Sequence, residues 1–165
     1  MKYRYLDGPF GRMLVAGDED SLQWLSFTIG RQEATSLSGW TEDNRNTLLR
    51  ETGRELEAYF AGKRERFDLP LEPQGTAFQK RVWKKLVSIP YGKTVSYSEL
   101  ARRIGRPGAF RAVGAANGQN PISVIIPCHR VLGKNGDLTG YGGGLDMKRK
   151  LLALERCTKE GRSTR

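Results

Sequence analysis

The amino-acid sequence predicts an α/β fold of the α+β type, with a small N-terminal antiparallel sheet, one covering helix, and a mostly helical C-terminal domain containing a helix-turn-helix. Three observations support this prediction. Apolar and polar residues alternate over residues 1–30, helical spacing follows over 41–60, and capping signals with Gly/Pro breaks organise the second half. The segment 69–75 (LPLEPQG) interrupts these patterns. We therefore predict two domains, 1–73 and 74–165.

The N-terminal half predicts three short strands followed by one helix. Strands are expected at residues 3–5, 13–16 and 22–27, and turns between them at residues 7–9 and 17–18. Over 41–60 the apolar side chains recur at helical spacing, and Gly62 stands where a C-terminal cap belongs. The positions concerned are Leu48, Leu49, Thr52, Leu56, Tyr59 and Phe60. One amphipathic helix is expected to cover the sheet.

The C-terminal half begins with capping signals. Capping boxes at 76–79 (TAFQ) and 96–99 (SYSE) each predict the start of a helix. The apolar face of the first helix comprises Phe78, Val82, Leu86 and Ile89. The second helix should end at Gly105, and Pro107-Gly108 lead into a third over about 109–118. Two short helices around a tight turn indicate a helix-turn-helix, a motif that also occurs in proteins that never bind DNA.

Charge is distributed unevenly along the chain. Residues 1–73 carry 10 Lys+Arg and 13 Asp+Glu, a net charge of −3, whereas residues 74–165 carry 18 and 5, a net charge of +13. The basic half is where a polyanion would bind. A basic protein can also owe its charge to solubility alone, so the charge favours nucleic acid without deciding the function.

The cysteine content and the N-terminus indicate a reduced, cytoplasmic compartment. The chain of 165 residues contains only Cys128 and Cys157, and its first residues (MKYRYLDGPFGRM) lack the apolar run of a signal peptide. No segment approaches the roughly 20 apolar residues needed to span a bilayer. A membrane partner is therefore not expected.

The predicted helix 109–118 has two contrasting faces. One stripe, the expected core face, contains Ala109, Ala112, Val113 and Ala116. The opposite stripe contains Arg111, Gly114, Ala115 and Gly118. Small residues beside one long cation would let a bulky partner approach the helix backbone. Tight packing against another helix explains these residues equally well.

The chain's single histidine follows one of its two cysteines. His129 and Cys128 lie in 122–131 (ISVIIPCHRV), an apolar run of strand character that a proline interrupts. A thiol is a useful nucleophile only as the thiolate, and an imidazole can accept its proton. Adjacent side chains in an extended chain point to opposite sides, so a water would have to relay that proton. Cys-His pairs are also common among inert core residues.

The motif 127–131 (PCHRV), preceded by Asn120-Pro121, resembles the active-site signature of the O6-alkylguanine-DNA alkyltransferases. Further segments resemble the family's recognition helix, phosphate-contacting turn, substrate-pocket loop and last helix. In that order, they are 111–114 (RAVG), 96–97 (SY) and 141–144 (YGGG), and for the last helix Lys148, 151–152 (LL) and Glu155. Residues 59–62 (YFAG) resemble the bacterial members, so the similarity runs through nearly the whole chain.

This resemblance implies DNA repair by irreversible, single-turnover transfer of an alkyl group from O6-alkylguanine, and from O4-alkylthymine, to Cys128. The base would be rotated out of double-stranded DNA, because its exocyclic oxygen is unreachable in the stack. Glu155 would hold His129 in the tautomer that deprotonates Cys128 through water, and Asn120 would brace the active-site turn. The thioether product is stable, and no cofactor is implied.

The resemblance also assigns the substrate pocket and the DNA surface. The pocket residues would be Tyr97, Ser123, Tyr141, Gly142 and Gly143, with Tyr141 hydrogen-bonding the guanine. The DNA-contacting residues would be Tyr97, Phe110, Arg111, Ala112, Gly114, Ala115 and Gly118. Arg111 would fill the space that the base leaves, and Tyr97 would press on its phosphate. A monomer in solution, able to cluster on DNA, is expected.

The sequence departs from the family's pattern in two respects. Its N-terminal half contains neither Cys nor His, whereas some relatives carry a zinc site or a cysteine-rich sensor domain, so no metal is expected. Phe110 stands where relatives usually have a small alanine. On the helical wheel it falls on the flank with Asn117, and the small core residues favour a place against the DNA groove over a place in the core. Cys157 is expected to be non-catalytic.

Two other functions remain compatible with parts of the sequence. A cysteine hydrolase would use Cys128, His129 and Glu155 with repeated turnover, but the basic half argues against it. A non-enzymatic regulator would bind alkylated DNA unchanged, but the intact Cys128 argues against that. The number of alkyl groups that one molecule removes separates all three.

Overall fold

The computed structural model describes residues 1–28 and 37–163. The last two residues of the predicted N-terminal alternation, 29 and 30, therefore lie outside the described part. The chain divides into two compact units. The first comprises Met1–Gln74 with Pro121–Ser123, and the second comprises Gly75–Asn120 with Val124–Arg165.

A four-stranded sheet forms the first unit. Its strands are β1 (Lys2–Gly8), β2 (Gly11–Gly17), β3 (Leu22–Phe27) and β4 (Thr41–Glu42), in the order β3-β2-β1-β4. β1, β2 and β3 pair antiparallel as predicted, whereas β4 pairs parallel with β1. Both faces of β2 are buried over residues 13–16, and Met13, Leu14, Val15 and Ala16, at most 3% exposed, supply much of this unit's apolar core.

Helix α1 (Thr47–Phe60) contacts β1 and β2, and its side chains Leu49, Leu56 and Tyr59 are buried. The expected start at residue 41 is wrong by six residues. Asp43 accepts hydrogen bonds from the backbone N–H groups of residues 45 and 46, which forms a turn before the helix. Asn46 then accepts from Leu49 N at 2.9 Å as the N-cap. The helical periodicity of the segment predicted the helix but not its cap.

Two distant segments hydrogen-bond to the edge strand β3 within the first unit. Leu22 donates to Pro70 O at 2.8 Å and accepts from Glu72 N at 2.9 Å. Leu25 donates to Pro121 O at 2.9 Å and accepts from Ser123 N at 2.8 Å. Residues from the later part of the chain therefore cover backbone groups that an edge strand would otherwise leave open.

The second unit is mostly helical, as predicted. Its helices are α2 (Ala77–Val87), α3 (Tyr97–Arg103), α4 (Phe110–Gly118) and α5 (Leu145–Ser163). Thr76 and Gln79 form the predicted capping box of α2, and Ser96 caps α3 by accepting from Glu99 N. Helices α3 and α4 contact each other and α2, which gives the expected helix-turn-helix. Two short parallel strands, β5 (Val95–Ser96) and β6 (Val131–Leu132), complete the unit.

The apolar run 122–131 does not form the expected strand. Ile122 makes one isolated bridge to Leu25, and turns follow it. Val124 has φ 71°, a left-handed conformation that a β-branched residue rarely adopts, and it reverses the chain there. Cys128–Arg130 then form a 3-10 helix instead of extended chain. The apolar side chains of the run 122–131 are buried in a turn. Alternation and composition cannot distinguish such a buried turn from a strand.

Candidate active site and nucleic-acid interface

Cys128 lies at the start of the 3-10 helix, directly after Pro127, and is 4% exposed. The Asn120 amide donates to Cys128 Sγ at 3.0 Å and to Ile126 O at 2.8 Å, so it joins the two ends of the preceding turn. Asn117 of α4 donates to Cys128 O at 3.3 Å. The thiol is thus fixed by helix α4 and by the residues just after it.

The buried environment of Cys128 keeps its side chain protonated. Burial raises the pKa of the Cys128 thiol to about 11, although the Asn120 hydrogen bond and the Lys148 charge oppose that rise. Lys148 is itself buried, and its ammonium donates to Val131 O at 2.6 Å and Thr139 O at 2.9 Å. Deprotonation of Cys128 at neutral pH therefore requires a base.

The candidate for that base is a buried imidazole–carboxylate pair on the 3-10 helix and α5. His129 Nε2 lies 2.7 Å from Glu155 Oε1, and both side chains are at most 1% exposed. Burial lowers the pKa of His129, which favours the neutral imidazole although Glu155 opposes the shift. Burial would raise the pKa of Glu155, but His129 and Arg130 outweigh it and hold that pKa below its usual value.

These ionisation states assign the tautomer of His129. A neutral imidazole beside a carboxylate carries its proton on Nε2 and donates it to Glu155, so Nδ1 keeps the lone pair. Nδ1 is buried and has no hydrogen-bond partner among residues 1–28 and 37–163. The site thus contains a thiol and an oriented imidazole base, the components of nucleophilic catalysis.

Arg130 completes the charge balance of this pair. Its guanidinium donates to Glu155 from Nε at 3.0 Å and from Nη2 at 2.9 Å, and from Nη1 to Ile89 O at 2.6 Å. Gly92 N also donates to Glu155, at 3.0 Å. One carboxylate on α5 therefore joins His129, Arg130 and the loop after α2.

The expected pocket loop lies near Tyr97 and the end of α4. The Tyr97 hydroxyl donates to Thr139 O at 3.1 Å, just before the glycine-rich segment. A Cβ on Gly142 would lie 3.8 Å from Gly118 O, and Tyr141 is half-buried. The structure therefore brings Tyr97 and this loop together in the second unit.

Helix α4 exposes most of the residues expected to contact DNA. Arg111, Ala112, Ala115 and Gly118 are exposed, and Phe110 is 45% exposed. The assignment of Ala112 to the core stripe is wrong, because the buried face consists of Val113, Ala116 and Asn117. The helix begins at Phe110, with Ala109 as a half-buried N-cap.

A close approach fixes the orientation of α4 relative to α3. A Cβ on Gly114 would lie 3.7 Å from a Tyr97 ring carbon, so Gly114 leaves room for that ring. Gly114 is half-buried for this reason and is less open than its neighbours on the exposed face. Tyr97 and the small face of α4 thus form one continuous surface.

Two family models match the chain. The model described as 6-O-methylguanine DNA methyltransferase, ribonuclease-like domain, covers residues 1–73, and that described as 6-O-methylguanine DNA methyltransferase, DNA binding domain, covers residues 77–157. A methylated-DNA–protein-cysteine methyltransferase of Methanosarcina barkeri is 52% identical over 94% of this chain and 97% of its own length. The chain belongs to the methylated-DNA–protein-cysteine methyltransferase family.

Solved structures of this methyltransferase family have the same fold. A Mycobacterium tuberculosis OGT crystallised in complex with DNA is 49% identical, with a TM-score of 0.88 over 96% of this chain and 94% of that one. A Methanococcus jannaschii O6-methylguanine DNA methyltransferase is 27% identical, with a TM-score of 0.68 over 93% of each chain. The predicted family and the predicted fold class are confirmed.

Sequence reasoning missed two polar residues of this methyltransferase site. Asn117, placed by the helical wheel on the flank of α4, is 2% exposed and bonded to the Cys128 carbonyl. Arg130, noted only as part of a motif, is 5% exposed and bonded to Glu155. The only sequence signal for Arg130 is its position directly after the Cys-His motif. No sequence pattern indicates that Glu155 is its partner.

Two further residues singled out in the sequence are Ser123, an expected pocket residue, and Cys157, which is expected to be non-catalytic. Ser123 belongs to the first unit, where its N–H donates to Leu25 O. Cys157 is an exposed free thiol on α5. Across residues 1–28 and 37–163, no group of three or more His, Cys, Asp or Glu side chains could hold a metal ion. None of the helices in that part of the chain is long and apolar enough to span a membrane.

Proposed function

We propose that this protein removes the alkyl group from O6-alkylguanine in double-stranded DNA and transfers it irreversibly to Cys128, once per molecule. O4-alkylthymine is the second expected substrate. The observation that carries this proposal is the buried thiol of Cys128, held by Asn120 beside the hydrogen-bonded pair of His129 and Glu155.

Membership of the methylated-DNA–protein-cysteine methyltransferase family confirms the enzyme class, a DNA-repair protein that transfers alkyl groups to cysteine. DNA as the partner is supported by the related Mycobacterium tuberculosis OGT, which was crystallised with DNA. The net charge of +13 on residues 74–165 agrees with a polyanionic partner.

The transfer begins with deprotonation of Cys128. His129 Nδ1 accepts the thiol proton through a water, while Nε2–H stays bonded to Glu155 and stabilises the imidazolium that forms. The thiolate then attacks the alkyl carbon, a C–S bond forms, and the bond between that carbon and O6 breaks. The electron pair of the broken bond moves onto the guanine, where the Tyr141 hydroxyl stabilises the developing anion. The thioether regenerates no thiol, so turnover stops.

The target base reaches this site by leaving the duplex. Arg111 is exposed on α4 and is assigned the space that the base vacates, while Tyr97 presses on the target phosphate. The exposed small residues Ala112, Ala115 and Gly118 let the helix approach the DNA groove closely. Gly142, Gly143 and Ser123 are assigned to the border of the base pocket.

The proposal extends to the organisation of the protein. Residues 74–165 form the DNA-binding and alkyl-transfer domain, and residues 1–73 form the N-terminal sheet-plus-helix domain. We place the protein in the cytoplasm as a monomer that can cluster along DNA. The two free thiols agree with a reducing compartment.

The stoichiometry of repair tests this function. Incubation with excess methylated duplex should release one methyl group per protein, and peptide mass spectrometry should find it on Cys128 alone. Cys128→Ser should abolish transfer and retain DNA binding, whereas the control Cys157→Ser should behave as the parent. Product exceeding protein would indicate a hydrolase, and binding without any transfer by the parent protein would indicate a regulator.

A further inference from the structure

The first unit contains a groove between strand β1 and helix α1 that no step of alkyl transfer uses. Its volume is about 680 Å³. Arg4 and Leu6 line it from the strand, and Arg50, Arg54 and Glu57 line it from the helix. A cavity of this size lies within the range of small-molecule sites.

Both elements contribute arginines to the lining of this groove. A Cβ on Gly53 would lie 3.1 Å from Leu6 Cδ2, so the face of β1 that carries Leu6 is the face against α1. Alternate residues of a strand share a face, which places Arg4 on the same side as Leu6. Arg50 and Arg54 flank Gly53 on one helical stripe, at i and i+4. Three arginines from two elements therefore line the same groove, Arg4 partly buried and Arg50 and Arg54 exposed.

The charge of this cluster is only partly compensated. Arg54 pairs with Glu51 at 2.6 Å, but the side chains of Arg4 and Arg50 make no hydrogen bond or ion pair with the described residues. Arg4 Nε is buried without an acceptor, which is unfavourable for a guanidinium N–H. Glu57 is the carboxylate on the helix side of the groove.

Asp7, the other acidic residue of the groove lining, does not neutralise the arginines. Asp7 directly follows Leu6, so its side chain points to the face of β1 opposite to Arg4 and Leu6. That side chain is 91% exposed, and its Oδ1 lies 3.9 Å from Arg12 Nε. The groove is therefore basic within a half of the chain whose net charge over residues 1–73 is −3.

We propose that this groove binds a phosphomonoester with an aromatic or apolar body, a ligand of the nucleotide class. Two guanidinium groups without partners match the two charges of a phosphomonoester, and the guanidinium fork suits its oxygens. Leu6, Met13, Leu56 and Phe60 supply an apolar wall for the body of the ligand. Glu57 can accept a hydrogen bond from a ligand hydroxyl or amino group.

The full-length protein should bind adenosine monophosphate saturably, with chemical-shift changes in the amide resonances of residues 4–8 and 50–61. Adenosine and inorganic phosphate, the two halves of this probe, should each bind about tenfold more weakly or worse. Binding of adenosine with equal affinity would overturn the role of the arginines, and equal affinity for inorganic phosphate would overturn the role of the apolar wall.

Variants assign the binding to the groove. Arg4→Met and Arg50→Gln should each weaken the affinity for adenosine monophosphate by about tenfold, whereas Arg45→Gln, which removes an exposed arginine outside the groove lining, should leave it unchanged. If Arg4→Met and Arg50→Gln bind adenosine monophosphate with the same affinity as the control Arg45→Gln, the site is refuted. The stoichiometry of methyl transfer should be unaffected in Arg4→Met, so failure of this inference is distinguishable from failure of the proposed repair function.

Discussion

The carboxylate of Glu155 holds three groups in the second unit, namely the His129 imidazole, the Arg130 guanidinium and the Gly92 N–H. A buried carboxylate is stable as an anion only when cations and donors replace its lost water. Arg130 supplies the charge and His129 the oriented donor. The same contacts that orient the His129 ring therefore also stabilise the fold.

We predict that Glu155→Gln destabilises the protein by about 3–5 kcal/mol at pH 7, because the change leaves the buried Arg130 charge uncompensated. Chemical denaturation with far-UV circular dichroism measures the difference. Asp146→Asn is the matched control, since Asp146 is 72% exposed and its pair with Lys150 should contribute less than about 1 kcal/mol. An equal effect of the two changes would contradict the structural role of Glu155.

The stabilisation by Glu155 should depend on pH. Although burial would raise its pKa, hydrogen bonds and charge from His129 and Arg130 hold that pKa below the ordinary value of 4.5. The contribution of Glu155 is therefore fully present above pH 4.5 and is lost as pH falls towards the folded-state pKa. The difference in unfolding free energy between the parent protein and Glu155→Gln should therefore shrink below pH 4.5. A difference that grows with acidity would show that the carboxylate is neutral in the folded protein.

The lowered pKa of His129 predicts at which pH the rate of methyl transfer declines on the acid side. Burial lowers its pKa from 6.5, so the neutral base persists at pH 6.5, where an ordinary histidine is half protonated. Single-turnover methyl transfer should therefore stay nearly constant from pH 8 to about 6.5 and should decline at lower pH. Rapid quenching at each pH gives this rate. A decline already centred above pH 7 would contradict a lowered pKa.

Helix α4 presents an exposed aromatic ring next to its one long cation. Phe110 is 45% exposed, and the Arg111 guanidinium carbon lies 5.8 Å from the centre of its ring. An exposed ring contributes little to the core, but beside Arg111 it can act as an apolar wedge in the groove.

Phe110→Ala should therefore weaken duplex binding and leave the melting temperature nearly unchanged. A fully buried phenylalanine would cost about 3–5 kcal/mol on truncation, and an exposed one costs much less. Fluorescence anisotropy with duplex DNA and a thermal melt measure the two quantities. Val113→Ala is the control with the opposite outcome, because Val113 is 0% exposed. A lower melting temperature with normal DNA affinity would place the ring of Phe110 in the core.

At the level of elements, sequence reasoning succeeded where a local signal marks an end. The capping residues Thr76 and Ser96 begin α2 and α3 as predicted, because a cap is a contact between near neighbours. It failed at residue 41, where the chain first pairs with β1, and at 122–131, where Val124 turns the chain. The pairing with β1 and the Asp43 turn displace the start of the helix, a left-handed backbone at Val124 breaks the strand, and the apolar periodicity encodes neither.

At the level of the whole molecule, charge is segregated along the chain. The net charge is −3 over residues 1–73 and +13 over residues 74–165. Phosphate neutralisation releases counterions, so binding through the basic half should weaken steeply with salt.

The logarithm of the binding constant should fall linearly with the logarithm of salt concentration, with a slope of about −0.9 for each phosphate contacted. Arg111→Met should weaken binding. The slope should become less negative by about 0.9 if Arg111 touches a phosphate, and it should stay unchanged if Arg111 only fills the stack. Lys63→Met, an exposed change in the acidic half, is the control and should alter neither quantity. A slope near zero for the parent protein would contradict a nucleic-acid partner.

The site was only partly readable from the sequence. The motif around Cys128 and the distant Glu155 were recognisable through the family resemblance, and the structure places Glu155 on His129. The partners of Arg130 and Asn117 depend on how α5 and α4 pack, which no short-range pattern encodes. Contacts between residues far apart in sequence therefore had to come from the structure.

The hydrogen bonds between Leu25 and Pro121–Ser123 have a consequence for how the protein is made. Domains usually fold in order as they leave the ribosome. Here the edge of β3 is completed only after α2, α3 and α4 have been synthesised. A gene truncated after residue 74 would encode a sheet that lacks its last hydrogen-bond partners. The N-terminal unit is consequently first in the gene and finished late in biosynthesis.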